Sequence, residues 1–143
     1  MTITYYIDTD QICDDNQDIT YYDPNIDRSN WISLFSTNFN LPKNEVSKFL
    51  DMILKNDNLL EFIVIRGENS LLATTCFILG DKENEASLTA IYAQDGLLYK
   101  LLSILKPKAL QYGIDRLIVT FTHLDNDSPE INRYIEVGFR KLF

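Results

Sequence analysis

Residues 86–122 read ASLTAIYAQDGLLYKLLSILKPKALQYGIDRLIVTFT and have the most regular structural pattern of the chain. It opens with a β-forming run, 86–93, and closes with another, 116–122. Between them, residues 96–112 place leucines at helical spacing, which predicts a helix with one apolar face against a sheet. Gly113 is well placed to end this helix, because glycine readily adopts the left-handed conformation after a last helical turn. The stretch therefore predicts a strand, a helix and a second strand in the same sheet.

Two more β-forming runs precede this unit, at 61–66 and 72–79. The residues that join them, GENS at 67–70, favour a tight turn and hence an antiparallel hairpin. Within the central helix, Pro107 lacks an amide hydrogen, which predicts a kink or a division into two short helices. An antiparallel meander followed by a βαβ unit predicts an α+β fold, with a mixed, mostly antiparallel central sheet flanked by helices.

Two helices are predicted before the meander. Residues 31–35 favour a short helix, and the following segment has apolar residues at 3.6-residue spacing. Pro42 falls in the first turn of this second helix, where a missing amide has little effect. Its apolar positions are Val46, Phe49, Leu50, Ile53 and Leu54.

The C-terminal part of the sequence predicts a last helix over 128–137. Asp127 and Glu130 have the spacing of a capping box at its start. Gly138 is expected to end the helix, which leaves residues 139–143 as a terminal strand.

The tetrapeptide ITYY occurs twice near the N-terminus, at 3–6 and 19–22. Both copies consist of β-forming residues and are predicted as strands. An acidic stretch separates the first copy from the rest, so residues 1–18 are interpreted as an N-terminal extension, with an added strand as one interpretation. The whole chain, 1–143, has the length and the 45% hydrophobic content of a single globular domain.

Charge and composition narrow the classes of partner. The net charge of −8 argues against nucleic acid, because the surrounding potential repels polyanions. Neither a secretory signal nor a membrane-spanning run is apparent, so we expect a cytoplasmic protein with Cys13 and Cys76 as reduced thiols and no membrane partner. No His, Cys, Asp and Glu set recurs at ligand spacing, so no metal site is predicted.

The order of elements and two local motifs resemble the GNAT N-acetyltransferase superfamily, over about residues 19–143. In that family the fourth strand leads into a turn with Gln or Arg, two free positions, Gly, one free position, and Gly or Ala. Here Ala93 stands at the Gln/Arg position, Gly96 matches the first glycine, and Leu98 stands at the second small position. The resemblance implies that amides at a helix N-terminus bind the coenzyme A pyrophosphate. The binding positions are then Ala93, Gln94, Asp95, Gly96, Leu97 and Leu98.

The second motif lies at the C-terminus, where family members often show Asn, a small residue three later, Tyr four after that, and Gly-Phe. Tyr134 and the pair Gly138 and Phe139 keep these positions, while Asp127 replaces Asn and Glu130 replaces the small residue. The resemblance implies that Tyr134 is the general acid for the coenzyme A thiolate and that Asp127 lies at the coenzyme. The alternative is that Tyr134 packs its ring beneath the sheet.

By the same resemblance, the protein transfers an acetyl group from acetyl-CoA directly to an amine of a small molecule or peptide. The fourth and fifth strands would part to admit the pantetheine arm, and the amide of Ile91 or a neighbour would hold the oxyanion. The two early helices would line the acceptor pocket, where Trp31, Phe35 and Phe39 are core or pocket residues, with core favoured. His123, Glu61, Glu68 and Glu85 are all open as the general base.

The departures at Ala93, Leu98 and Asp127 support a second hypothesis, a catalytically degenerate GNAT-fold domain for binding or protein interaction. Family members usually continue into another strand, whereas this chain ends four residues after Phe139. The exposed sheet edge would need cover from the N-terminal ITYY strand or from a second subunit, giving a homodimer through that edge.

Overall fold

The computed structural model describes residues 2–13, 18–122 and 128–142. Its six strands are β1 Thr2–Asp8, β2 Leu59–Arg66, β3 Leu71–Leu79, β4 Glu85–Ala93, β5 Arg116–Thr122 and β6 Arg140–Lys141. Its four α-helices are α1 Pro24–Phe39, α2 Lys43–Leu54, α3 Leu98–Gln111 and α4 Pro129–Glu136.

All six strands form one sheet in the order β2-β3-β4-β5-β1-β6. β2, β3 and β4 are an antiparallel meander, whose first hairpin closes with the Gly67 amide donating to the Ser70 carbonyl at 2.7 Å. β4 and β5 are parallel and joined through α3, so they form the predicted βαβ unit. The sheet is mixed and mostly antiparallel, which confirms the predicted fold class.

The N-terminal strand occupies an interior place in the sheet. β1 runs antiparallel to both β5 and β6, and it pairs with β5 along its full length. Its alternate side chains Ile3, Tyr5 and Ile7 are buried, as expected for a strand with one face on the core. Gly138 fits closely against this strand, since a Cβ there would lie 3.3 Å from Ile7 Cδ1. The chain's own N-terminal residues therefore lie beside β5.

The second ITYY copy does not form a strand, contrary to the sequence prediction. It makes one bridge, between Tyr21 and Ile63, supported by backbone hydrogen bonds of 2.8 and 2.9 Å to β2. The reason is the next residue: the Asp23 side chain accepts a hydrogen bond from the Asn25 amide and caps α1, with Pro24 at its first position. The backbone thus turns into a helix before a ladder can extend.

Other helix boundaries also differ from the sequence prediction. Because Asp23 caps it, α1 is longer than the predicted 31–35 segment. Pro42 is the residue before α2 and not part of its first turn. The cap of α4 is Ser128, whose hydroxyl accepts from the Glu130 amide at 3.3 Å, in place of the predicted box.

The central helix α3 continues through Pro107 as one element and is not divided in two. Proline at this place removes one helical hydrogen bond, but buried side chains on both sides, including Leu105 and Ala109, hold the helix against the sheet. Gly113 follows with φ of +72°, the left-handed conformation expected there.

Two apolar clusters lie on opposite sides of the sheet. Ile63 of β2 joins the larger cluster with α3, α4, β1 and β5, whereas its neighbours Phe62 and Val64 join the cluster of α1 and α2. Successive side chains of a strand point to opposite faces, so α1 and α2 cover the face away from α3.

An ion pair between the buried Asp27 carboxylate and the partly exposed Arg66 guanidinium ties α1 to β2. The Asp27 side chain is only 1% exposed, and Arg66 donates to its two carboxylate oxygens at 2.8 and 2.6 Å. The Asp23 amide adds a bond of 2.8 Å to the same carboxylate. Burial opposes ionisation of Asp27, but these hydrogen bonds and the Arg66 charge lower its pKa below the ordinary value.

Among the helices that the structure describes, none has both the length and the apolar character needed to cross a membrane.

Candidate active site

The site begins where β4 and β5 separate. The two strands pair only at their starts, from Glu85–Ser87 with residues 116–118. Beyond Ser87 the β5-facing edge of β4 has no strand partner. Because backbone groups prefer to be paired, an open strand edge inside a sheet is available to a ligand that brings its own amides.

β4 carries a bulge in this open part. Thr74 pairs with Tyr92 and Cys76 pairs with Thr89, so β4 has one residue more than β3 between these pairs. Within the bulge Ala90 has φ of +53°, an uncommon conformation for a residue with a side chain. Backbone strain of this kind occurs mostly at functional sites, because surrounding structure must maintain it.

A cavity of about 1280 Å³ opens between the parted strands and the helices. Helices from both faces of the sheet and the two parted strands line this cavity. Its walls are formed by Phe35, Asn38, Phe39 and Leu41 near α1; Glu45, Val46 and Phe49 of α2; residues 87–95; residues 119–121 of β5; and Glu130, Arg133 and Tyr134 of α4.

The N-terminus of α3 presents backbone amides without partners. The amides of residues 95, 96, 98, 99 and 100 make no hydrogen bond within the described part of the chain, and no side chain caps the helix. Gly96 turns the loop with φ of +82°, and nothing lies within 4 Å of where its Cβ would be. The Leu98 side chain is buried in the main core, so it does not cover the amides. Such an end suits an anion.

Arg133 reaches from α4 to the end of the open strand. Its Nη2 donates to the Ala93 carbonyl at 2.6 Å, and its Nη1 lies 3.4 Å from Glu130 Oε2. Of the described residues lining the cavity, Arg133 alone has a cationic side chain. It brings a guanidinium to the place where the family motif has Gln or Arg and this chain has alanine.

Tyr134 is another polar α4 residue at the cavity. Its ring lies edge-on to Phe121 at 5.0 Å and to Phe139 at 5.4 Å, and the residue is only 4% exposed. Its hydroxyl makes no hydrogen bond with any described residue. Burial, and secondly the nearby Glu130 carboxylate, raise the pKa of Tyr134 well above its usual value, so the phenol is protonated at neutral pH.

The structure brings some of the residues predicted from sequence together and leaves others apart. Ile91, Ala93, Gln94, Asp95 and Tyr134 line the cavity. Gly96, Leu97 and Leu98 form the adjoining turn but do not line the cavity. Asp127 and His123 lie outside the described residues.

The structure also shows which of the predicted acceptor-pocket residues and candidate general bases line the cavity. Trp31 is fully buried in the core, as favoured, whereas Phe35 and Phe39 line the cavity. Glu61, Glu68 and Glu85 are not among the cavity residues; Glu61 accepts instead from Tyr112 Oη at 2.8 Å.

Sequence reasoning missed three charged or polar side chains at the cavity, namely Arg133, Glu45 and Asn38. In the sequence, Arg133 is explained by an ion pair with Glu130 one helical turn earlier. Glu45 is explained by its favourable place in the first turn of α2, where the helix dipole stabilises an acid. The usable signal was that Arg133 directly precedes Tyr134 in the motif.

Neither cysteine offers a nucleophile at this site. Both are free; Cys76 is buried, and Cys13 is exposed and does not line the cavity. Burial raises the pKa of the Cys76 thiol, which leaves it protonated and inert. Among the described residues, no group of three His, Cys, Asp or Glu side chains is placed to hold a metal ion.

Comparison with known proteins supports the fold and goes no further. No family model matches the sequence, and no curated protein matches it. Among solved structures, a GNAT-family acetyltransferase from Colwellia psychrerythraea superposes with a TM-score of 0.68 at 16% identity, over 99% of this chain and 52% of that one.

Two further structures give the same result. A GCN5-related N-acetyltransferase from Sphaerobacter thermophilus has a TM-score of 0.62 at 11% identity, over 98% of this chain and 48% of that one. A predicted acetyltransferase from Clostridium acetobutylicum, solved with acetyl-CoA, has a TM-score of 0.55 at 16% identity, over 98% of this chain and 90% of that one. The chain spans about half the length of the first two structures. The resemblance to the GNAT superfamily is thus confirmed at the level of the fold: this chain has the GNAT acetyltransferase fold.

Proposed function

We propose that the protein is an N-acetyltransferase that transfers the acetyl group of acetyl-CoA to an amine. The observation that carries this proposal is the parting of β4 and β5 beside unpartnered amides at the start of α3. An open strand edge suits the amide-containing pantetheine arm, and the helix N-terminus suits a pyrophosphate. A structure from Clostridium acetobutylicum with the same fold was solved with acetyl-CoA, which supports this choice of ligand.

The residues present fit the coenzyme in spite of the degenerate motif. The amides at 95, 96 and 98–100 exist whatever the side chains, and Leu98 is turned into the core. Arg133 supplies the guanidinium that the motif position lacks. We assign it to the phosphates, because a guanidinium is the side chain best shaped to bind phosphate oxygens.

The reaction is a direct displacement at the thioester carbonyl. The amine nitrogen forms a bond to the carbonyl carbon, the carbon–sulfur bond breaks, and the ammonium proton leaves to solvent. An amide near the bulge, at Ile91 or a neighbour, holds the carbonyl oxygen as negative charge develops. The products are the N-acetylated amine and coenzyme A.

Tyr134 is placed in this scheme as a donor to the departing sulfur. Its raised pKa keeps the phenol protonated, but full transfer to a thiolate is uphill, because an ordinary thiol has a pKa of only about 8.5. We therefore assign Tyr134 a hydrogen bond that stabilises the sulfur anion, and the proton on coenzyme A then comes from solvent.

Tyr134→Phe is expected to lower kcat by about tenfold to a hundredfold, the value of one hydrogen bond to a charged group. Because the hydroxyl has no partner among the described residues and the ring is retained, the free energy of unfolding is expected to change by less than about 0.5 kcal/mol. Coenzyme A release followed with a thiol reagent, together with urea unfolding, checks both. Unchanged turnover in the variant would exclude the assigned role.

The proposed function itself is tested by titrating acetyl-CoA into the protein in a calorimeter. Saturable binding, with thermal stabilisation that rises with coenzyme concentration, is expected. Absence of binding at millimolar acetyl-CoA contradicts the proposal and favours the second candidate, a GNAT-fold binding domain without catalysis.

That second candidate has a specific observation in its favour. Of the described cavity residues, Glu45, Asp95 and Glu130 are acidic and only Arg133 is cationic, which is unusual beside a polyanionic coenzyme.

A homodimer and a cytoplasmic location stay predictions. With β1 in place, the C-terminal edge of the sheet is β6, a strand of only two residues.

A further inference from the structure

The half of the cavity formed by α1 and α2 has an apolar wall that is exposed to the cavity. Phe35 and Phe39 stack with ring centroids 5.2 Å apart and planes 13° apart. Phe39, Leu41 and Phe49 are 50, 44 and 37% exposed, which is unusual for large apolar side chains. All of them line the same concave space as the open strand. Exposed apolar side chains gathered in one concavity mark a binding site.

Among the described residues, Glu45 is the one charged side chain that lines this half. It lies in the first turn of α2, is exposed, and makes no hydrogen bond or ion pair with any described residue. Asn38, also on this wall, donates one side-chain N–H to the Leu34 carbonyl at 2.8 Å. An unpaired carboxylate beside aromatic rings matches a cation with an apolar body.

Resting on the proposed function, we infer that the acceptor is a small primary amine with an apolar or aromatic body. Its ammonium is held by Glu45, and its body packs against Phe39 and Phe49. Such amines are protonated at neutral pH, like a lysine side chain, so the bound ammonium loses one proton to solvent before its nitrogen attacks the thioester. Acetylation converts the ammonium to a neutral amide, so the product loses the attraction of Glu45 and leaves.

Two other features of the cavity agree with a small, apolar amine as the acceptor. Its volume of about 1280 Å³ exceeds the roughly 300–1,000 Å³ of an ordinary ligand pocket, so an acceptor fits beside a pantetheine arm. Asp95 adds a second unpaired carboxylate to the described lining, which repels acidic acceptors. A polyamine or an amino sugar, by contrast, would find one carboxylate and few hydrogen-bonding groups on the wall of α1 and α2.

The test is direct binding of two amines, 2-phenylethylamine and spermidine, to the full chain by calorimetry without coenzyme. Binding of 2-phenylethylamine is expected to be tighter than that of spermidine. Glu45→Gln is expected to weaken the binding of 2-phenylethylamine about tenfold, the value of a charge-assisted hydrogen bond. Glu83→Gln, an exposed acid away from the cavity, is the matched control and is expected to have no effect.

The apolar wall is tested with a second pair of variants. Phe39→Ala is expected to weaken 2-phenylethylamine binding at least fivefold, because part of the buried apolar area is lost. Met52→Ala is the control, since Met52 is 63% exposed on the same α2 helix but does not line the cavity. Circular dichroism of each variant verifies that it is folded.

The outcomes separate this inference from the proposed function. Equal binding of 2-phenylethylamine by the wild type and Glu45→Gln, tighter binding of spermidine, or no binding of 2-phenylethylamine overturns the acceptor class. Acetyl-CoA binding with turnover of polar amines alone also overturns it, while the proposed function stands. If acetyl-CoA does not bind but 2-phenylethylamine binds through Glu45, the amine site stands and the transferase function falls.

Discussion

Replacing Arg66 with methionine is expected to lower the free energy of unfolding by about 3–5 kcal/mol, the usual penalty for leaving a buried charge without its partner. The Asp27 carboxylate is almost completely buried, and two of its three hydrogen bonds come from Arg66. Methionine fills similar space but donates nothing. Urea unfolding followed by circular dichroism measures the loss.

The matched control is Arg28→Met, which breaks another ion pair of α1. Arg28 Nη1 lies 2.9 Å from Asp51 Oδ1, but the two side chains are 36 and 49% exposed. Water compensates an exposed pair, so the expected loss is much smaller than that of Arg66→Met. Equal losses in the two variants would mean that burial of Asp27 contributes nothing, contrary to the prediction.

Acid titration gives an independent test of the same pair. The pKa of Asp27 is lower in the folded state than in the unfolded chain, so its stabilising contribution is complete above the unfolded value of about 3.9 and is lost as pH falls through the folded value. Wild-type stability should therefore fall over this acidic range, and Asp27→Asn should be less stable but flatter. A variant with the same slope as wild type would contradict the assignment.

Arg133→Glu is expected to weaken acetyl-CoA binding by more than about a hundredfold, since it removes one charge-assisted phosphate contact and adds repulsion. The described lining would then have no cation, and Glu130 and Asp95 would face the phosphates with the new carboxylate. Isothermal titration calorimetry with acetyl-CoA measures the change.

Two controls identify the cause of that change. Arg140→Glu alters the net charge equally but lies on exposed β6 away from the cavity, so its effect on acetyl-CoA affinity is expected to be small. The acetyl thioester of N-acetylcysteamine lacks phosphates, and its turnover at a fixed concentration is expected to be unaffected by Arg133→Glu. Equal losses with the two donors would show that Arg133 supports the cavity and does not bind phosphate.

The parts of the fold that could be predicted are those with strong local periodicity. The run 116–122 was predicted with the boundaries of β5, and the meander strands began within two residues of their observed starts. The two ITYY copies could not be distinguished, because their residues are identical. What separates them is the context: Pro24 and the Asp23 cap end the second copy, whereas the first finds a full-length partner in β5. Partner choice over such distances leaves no local signal.

In the candidate site, too, the features with a local sequence signal could be predicted and those that depend on tertiary packing could not. Open amides follow from any helix start after a turn, so the anion-binding loop could be predicted from Gly96 and the leucines after it. Arg133 and Glu45 could not, because each has a sufficient local explanation on its own helix. Only tertiary packing shows that both reach the same cavity. Tyr134 packs among aromatic rings, as one of the two sequence interpretations predicted, and it also lines the cavity, while its role as general acid stays a prediction.

The interior place of β1 has a consequence for the order of events during synthesis. Asp8 and Arg116, which face each other across β1 and β5, are 108 positions apart in the chain. β1 therefore waits, with Ile3, Tyr5 and Ile7 uncovered, until β5 has also left the ribosome. Closing so long a loop slows folding. β1 thus leaves the ribosome before β5 but becomes native only together with it, and in that interval its apolar side chains are open to chaperones.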